Sequence, residues 1–453
     1  MPTHLFKHAL LPDGWADSVR IVMSGGKIVS VEAGAVRRPD DCAGGYALSG
    51  MANVHSHAFQ RGMAGLAERR RHGEDSFWSW REIMYWFLDR MTPEDVEAIA
   101  AQAFMEMLQG GFTRVGEFHY LHHAPDGTAY DDPAELSSRI ASAADTVGIR
   151  LTLLPCFYAH GDFGPQPALG GQRRFLHGLD AYASLLDRCA GLVRGLDGAA
   201  LGIAPHSLRA VTPSELDALV ALADGRPIHI HVAEQTREVE GCLGWSGRRP
   251  VDWLLDHAPV DHRWCLIHAT HMDASEVGRL AAAGATIGLC PVTEASLGDG
   301  IFPGTAWRDA GGRIAIGTDC NVAIGVAEEL RQLEYAQRLA TRRRNVMASG
   351  LGASTGETLF AAAAAGGASA LDAPAPAIRV GSPADIVALD PDAACLAAGG
   401  PATILDGWLF GGDRSAVRDV WVGGRQVVAE GRHCQAAAIR AVYVRCARRL
   451  AAL

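Results

Sequence analysis

Lysine is nearly missing from this chain. Two of the 41 basic side chains are lysine, Lys7 and Lys27, and the rest are arginine. From Ile28 onward, therefore, no residue can form a Schiff base, clamp a phosphate with an ammonium group or carry a carbamate that bridges two metals. Cysteine occurs ten times but never as C-x-x-C. That excludes a zinc ribbon or a thioredoxin-like site. Long apolar runs are missing as well. The most apolar stretch, 359–371, is thirteen residues of mostly alanine and glycine, too short and too weakly hydrophobic to span a bilayer. Lys7, Pro12, Asp13 and Asp17 stand where a signal peptide needs an apolar core. The expectation is a cytoplasmic protein with free thiols and no membrane partner. Charge is in acidic excess, 51 acidic residues against 41 basic, for a net −10. A protein held to nucleic acid by phosphate contacts leans the other way, so no nucleic-acid partner is expected.

What is present is a globular composition, 48% hydrophobic and 20% charged over 453 residues. At about 150 residues per domain this suggests roughly three domains, or one large barrel and a smaller part. Both ends read as β. Segment 18–23, a Ser-Gly-Gly turn and segment 27–32 form a hairpin pattern, and 384–389 and 419–429 have the same texture. The simplest arrangement pairs 1–49 with 377–453 in one small β-sandwich-like domain. The span 50–376 is then inserted between them.

That middle span alternates. Short apolar runs at 50–57, 113–120, 150–158, 200–207, 227–234, 264–271, 285–293 and 313–320 are separated by helical patterns. Thr92-Pro-Glu-Asp, Thr212-Pro-Ser-Glu215 and Asp273-Ala-Ser-Glu276 are helix starts. Eight βα repeats predict an α/β fold, a (β/α)8 TIM barrel. A doubly wound sheet is the runner-up, but no G-x-G-x-x-G follows the first strand. The first crossover, from Ala58 to about Met91, is far longer than an ordinary loop. Its aromatic residues Phe77, Trp78, Trp80, Tyr85, Trp86 and Phe87 suit a lid.

Barrels carry their chemistry at the C-terminal ends of the strands. Here those ends read His55-Ser-His57, His229-Ile-His231-Val-Ala-Glu234, His268-Ala-Thr-His271 and Gly317-Thr318-Asp319. Alternate residues share a strand face, so His55 and His57 both point inward. Converging imidazoles with one carboxylate fit zinc or iron(II). His271 and Cys320 neighbour these positions, and strand alternation would turn Cys320 outward against a helix. His119, His122 and His123 read as loop or surface histidines rather than a second metal site. The runs 69–71 and 342–344 are arginine triplets expected to be solvated.

Over nearly its whole length the pattern resembles the amidohydrolase superfamily. That resemblance makes His231 and Asp319 metal ligands beside His55 and His57, and matches His229 to no ligand. Binuclear relatives use a carbamylated lysine after strand 4, where this chain has Pro205-His206. The implied site holds one divalent ion, zinc or else iron(II). H-x-x-E after strand 5, here His231 to Glu234, is typical of the mononuclear deaminases. The resemblance makes Glu234 a proton shuttle, Asp319 an acceptor of the water's proton and His268 the group that orients the water.

Within the superfamily the chain is similar to the formimidoylglutamate deiminases (N-formimino-L-glutamate iminohydrolases). The matching segments are Ala52-Asn-Val-His-Ser-His-Ala-Phe-Gln-Arg61, Ser76-Phe-Trp-Ser-Trp-Arg81, Glu117-Phe-His-Tyr120 and Pro205-His206-Ser-Leu-Arg209. The implied reaction is hydrolytic deimination of an amidine dicarboxylate in histidine degradation. Arg81 and Arg209 would hold its two carboxylates. Gln60, Tyr120 and His206 would add hydrogen bonds. A homodimer is the expected assembly. Two other readings compete: a deaminase of guanine or a related heterocycle on the same fold, and a non-catalytic barrel that serves as a binding module.

Overall fold

The computed structural model describes residues 3–70, 75–397 and 399–452. Eight parallel β-segments form a ring: Met51–Ser56, Phe112–His119, Arg150–Phe157, the split pair Ala200–Leu201 and Ala204–Pro205, Ile228–Val232, Trp264–His268, Thr286–Leu289 and Arg313–Ile316. Sequence neighbours are neighbours in the ring, and the last strand pairs with the first at Ile316 and Asn53. Bridges Ile203–Ile228 and Ser207–His231 close it between the fourth and fifth strands. The His231 amide donates to the His206 carbonyl there, at 3.0 Å. This is the expected (β/α)8 barrel. Its second and third strands are buried along their whole length. Strands packed on both faces need such continuous apolar runs.

Several strands are shorter than their apolar runs suggest, and in two the cause is local. The fourth breaks at Gly202, where a Cβ would stand 2.6 Å from Leu154 Cδ2 and 2.8 Å from the Pro227 carbonyl. Pro205 then contributes no amide hydrogen to a ladder. The seventh stops at Leu289 because Pro291 opens the helix Pro291–Leu297. The helix starts at Thr92, Thr212 and Asp273 are as expected: each side chain accepts the amide hydrogen three residues on.

The second sheet has eight strands, taken from both ends of the chain. Asp41–Ser49 pairs antiparallel with Ile386–Leu389 and joins the N-terminal strands to the C-terminal ones. One edge strand, Lys27–Glu32, turns back so that the Ile28 amide donates to the Ser382 carbonyl (2.9 Å). Phe6, Val19, Ile21, Ile386 and Trp421 form the core of this curled sheet.

The C-terminal segment departs from its β texture. Residues Ala436–Ala451 are helical. Ile439, Cys446 and Leu450 are its buried residues, and Cys446 and Arg449 bond the Asp95 carboxylate of the barrel helix Pro93–Gln109. Among the described residues, no helix is long and apolar enough to cross a membrane.

Candidate active site

The strand ends converge on one cavity. Its walls include His57, Gln60, Arg81, Tyr120, His206, Arg209, His231, Glu234, His268 and Asp319. His55 lies just beneath them, fully buried. Every sequence-predicted site residue is therefore at this one place.

Backbone strain aims several of these groups. Ala233, His268 and Asp319 have φ of 50°, 68° and 41°, a left-handed conformation that side chains other than glycine rarely adopt. His268 is the last residue of its strand, and Ala233 and Asp319 lie past the ends of theirs, so pleated alternation no longer applies. This is why Cys320 does not pack outward: its strand ends at Ile316, and Cys320 lines the cavity. Gly317 lets the last strand approach the first. A Cβ there would stand 2.8 Å from both Cβ and the carbonyl oxygen of His55. The Thr318 and Asp319 amides both donate to that carbonyl at 3.0 Å, and the His57 amide returns a bond to the Asp319 carbonyl.

The imidazoles are arranged as ligands. His57 Nδ1 donates to the Phe118 carbonyl (2.8 Å) and His231 Nδ1 to the His206 carbonyl (2.9 Å). Their Nε2 lone pairs then face the centre, as a metal-binding tautomer requires. Burial holds His57 down to about 3 and pushes His55 and His231 well below the ordinary histidine value. All three are neutral at physiological pH. His55 Nε2 is 3.1 Å from His231 Nε2. Asp319 Oδ1 is 3.7 Å from His55 Nε2 and 3.4 Å from His57 Nε2. Lone pairs facing one another around a buried carboxylate fit one divalent cation. Burial also pushes Asp319 up to about 7, a penalty that such a cation removes.

Around this centre His268 Nε2 stands 3.9 Å from Glu234 Oε1 and 3.7 Å from Asp319 Oδ2. Burial opposes charge on His268, but Glu234, Glu294 and Asp319 together lift it to about 10. Gln60 Nε2 donates to the Tyr120 hydroxyl (2.7 Å), which donates in turn to Met84 Sδ. Arg209 is 8% exposed and its buried Nε has no hydrogen-bond partner. The long first crossover supplies the helix Phe77–Leu88, which brings Phe77, Trp80, Arg81, Met84 and Tyr85 over the cavity.

Sequence reasoning missed Glu294 and Cys290. Glu294 Oε1 is 3.3 Å from His268 Nδ1 and accepts the Cys290 amide hydrogen. Cys290, His268 and Asp319 bring ligand-type atoms within 4.8 Å of one another. Pro291-Val-Thr293, which read as the end of a strand, opens the helix Pro291–Leu297 that places Glu294. His119, His122 and His123 are not surface residues. The first two are buried, and His122 and His123 pack on His177 with ring centroids 4.5 and 4.9 Å away. The chain folds back there: both the His122 and His123 amides donate to the Arg174 carbonyl. His229 is a core residue, with Nε2 2.8 Å from the Ala370 carbonyl. Arg69, Arg70 and 342–344 are exposed, while Arg71 lies outside the described residues.

Comparison with known proteins agrees with this geometry. The amidohydrolase family model matches residues 46–427. The model for the N-terminal domain of formimidoylglutamate deiminase HutF matches residues 6–45. A formimidoylglutamate deiminase of Pseudomonas aeruginosa is 50% identical over 429 residues, 94% of each chain. The crystal structure of an amidohydrolase from Brucella melitensis superposes with TM-score 0.96 at 53% identity, covering all of both chains. An adenosine deaminase from Xanthomonas campestris with bound zinc has TM-score 0.81 at 21% identity, covering 99% of this chain and 98% of that one, which speaks to the fold alone. The chain belongs to the amidohydrolase family.

Proposed function

We propose that this protein hydrolyses N-formimino-L-glutamate to N-formyl-L-glutamate and ammonia. One observation carries the reading beyond the family: Arg81 and Arg209 line the cavity beside the imidazole cluster, and among the described residues neither forms a salt bridge, the carboxylates of Glu238, Glu234 and Asp162 acting on Arg209 only at longer range. Two unpaired guanidiniums call for two carboxylates on the ligand. The 50% identity to a formimidoylglutamate deiminase points the same way. A heterocycle deaminase would leave the buried Arg209 and the half-buried Arg81 without an anionic ligand. A binding module would have no use for Glu234 and His268 beside the ligand cluster.

His55, His57, His231 and Asp319 are the proposed ligands. With a divalent ion held there, the pKa of water would fall from about 15.7 toward about 7. Asp319 accepts the water's proton as the water oxygen bonds the formimino carbon, whose double bond to the imino nitrogen becomes single. His268 orients the water and stabilises the tetrahedral carbon. Glu234 delivers a proton to the imino nitrogen, whose bond to carbon breaks as ammonia leaves. Arg81 and Arg209 receive the two carboxylates, while Gln60, Tyr120 and His206 hold the formimino group or the α-carboxylate. We favour zinc, and iron(II) suits the same donors. A cytoplasmic location and a homodimer complete the proposal.

The test is product identification on metal-loaded enzyme. One equivalent of ammonia should appear for each N-formyl-L-glutamate, followed by NMR of the formimino carbon. Release of glutamate and formamide, or no reaction, would overturn the reading.

A further inference from the structure

Three guanidiniums share one indole near the cavity. Trp78 belongs to the lid helix Phe77–Leu88. The Cζ atoms of Arg81, Arg209 and Arg237 lie 4.5, 5.9 and 4.4 Å from its ring centroid. Arg237 is exposed and sits in the first turn of the helix Thr236–Ser246, three residues after Glu234. Among the described residues, none of the three arginines makes a salt bridge, although many other arginines here do, including Arg20, Arg61, Arg139 and Arg150.

Like charges so placed repel one another. Cation–π attraction, and at Arg209 the nearby carboxylates of Glu238, Glu234 and Asp162, offset part of this. The remainder is relieved when anions arrive. The chain's net charge is −10, so a cationic patch of this kind is a local reversal of the overall field. Such patches raise the local concentration of oppositely charged ligands and their association rates.

We infer that Arg237 is a specificity-determining residue: an outer cation that draws small dicarboxylates to the site, while the Trp78 indole holds it in register with Arg81 and Arg209. The inference rests on the proposed role of those two arginines as carboxylate partners. Arg237 stands outside the cavity and touches no reacting atom. Its effect belongs to capture, and therefore to kcat/KM and its salt dependence rather than to kcat.

The experiment compares wild type, Arg237→Gln, Arg237→Glu and the exposed control Arg344→Gln. Arg237→Gln should lower kcat/KM for formimino-L-glutamate about tenfold at low salt, with kcat nearly unchanged. Arg237→Glu should lower it further. The gap between wild type and Arg237→Gln should close at high ionic strength, where the Debye length falls to about 3 Å at 1 M salt. The monocarboxylate formiminoglycine should show a smaller loss. Salt-dependent binding of glutarate, a dicarboxylate that is not hydrolysed, gives a readout independent of turnover. If wild type binds glutarate more tightly than Arg237→Gln but releases no ammonia from formimino-L-glutamate, the functional reading fails and the inference stands. If Arg237→Gln matches wild type in glutarate affinity and salt slope, the inference is overturned whatever the activity.

Discussion

Glu234 lines the cavity with its Oε1 3.9 Å from His268 Nε2. Glu234→Gln keeps the shape and removes the transferable proton. Turnover should fall by about 10²–10⁴-fold, with metal content by elemental analysis unchanged. Equal activity would remove Glu234 from the chemistry. Arg209 makes the complementary test. Arg209→Ala should raise KM by an amount equivalent to about 2–5 kcal/mol, the usual loss when one partner of a buried charged pair is truncated. An unchanged KM would return Arg209 to a structural role. The histidines and carboxylates that line this cavity were legible in the sequence because strand ends are short and such residues there are few, whereas Gln60, Arg81, Tyr120, His206 and Arg209 came from the family resemblance. Glu294 was not legible, since its role depends on a strand stopping at Leu289 and a helix starting at Pro291. Cys320 was misread because alternation was carried past the end of its strand. His119 ends the buried strand Phe112–His119, so its apolar run was a signal that went unused. His122 gives no local signal, and its burial goes with the fold-back onto Arg174.

The elements that present these residues were legible to different degrees. Capped helices were the clearest, because a cap is a local hydrogen bond. Thr212→Ala should cost about 1 kcal/mol in urea unfolding, since its side chain accepts the Glu215 amide hydrogen. No change in midpoint would mean that the cap contributes nothing. The C-terminal helix was the least legible. Ile439, Tyr443, Cys446 and Leu450 do follow a helical period, but the preceding strand-rich segment set the reading of that end. In the terminal sheet, Arg20 makes two 3.0 Å hydrogen bonds to the two Asp41 carboxylate oxygens. Those bonds, with the Arg38 amide hydrogen, hold Asp41 well below its ordinary value. The folded form thus binds fewer protons than the unfolded one. The resulting stability is fully present above an unfolded value of about 3.9 and is lost as pH falls below it. Wild type should lose urea resistance on acidification through that range more steeply than Asp41→Asn, which lacks the contribution at every pH. Parallel curves would refute the linkage.

The barrel and the curled terminal sheet meet through their order along the chain: the sheet opens the fold, the barrel interrupts it and the sheet resumes. That arrangement followed from β texture at both ends and eight repeats between. Metal removal tests the molecule as a whole. The four proposed ligands His55, His57, His231 and Asp319 would lose their shared partner on chelation, so the melting temperature should drop and return when zinc is restored. The shift should grow with free zinc, since a ligand at about 1,000 times its Kd adds about 4.1 kcal/mol to the folded state. A chelated protein that melts unchanged would argue against a metal at this site. The near absence of lysine excludes a carbamate bridge, so metal analysis should give one ion per chain.

The measurement that bears most directly on the central claim is ammonia release by zinc-loaded enzyme from three compounds at matched concentration: formimino-L-glutamate, formimino-L-aspartate and guanine. The account predicts the highest kcat/KM for formimino-L-glutamate, a lower value for the shorter dicarboxylate and no turnover of guanine. Release from guanine without release from formimino-L-glutamate would contradict it.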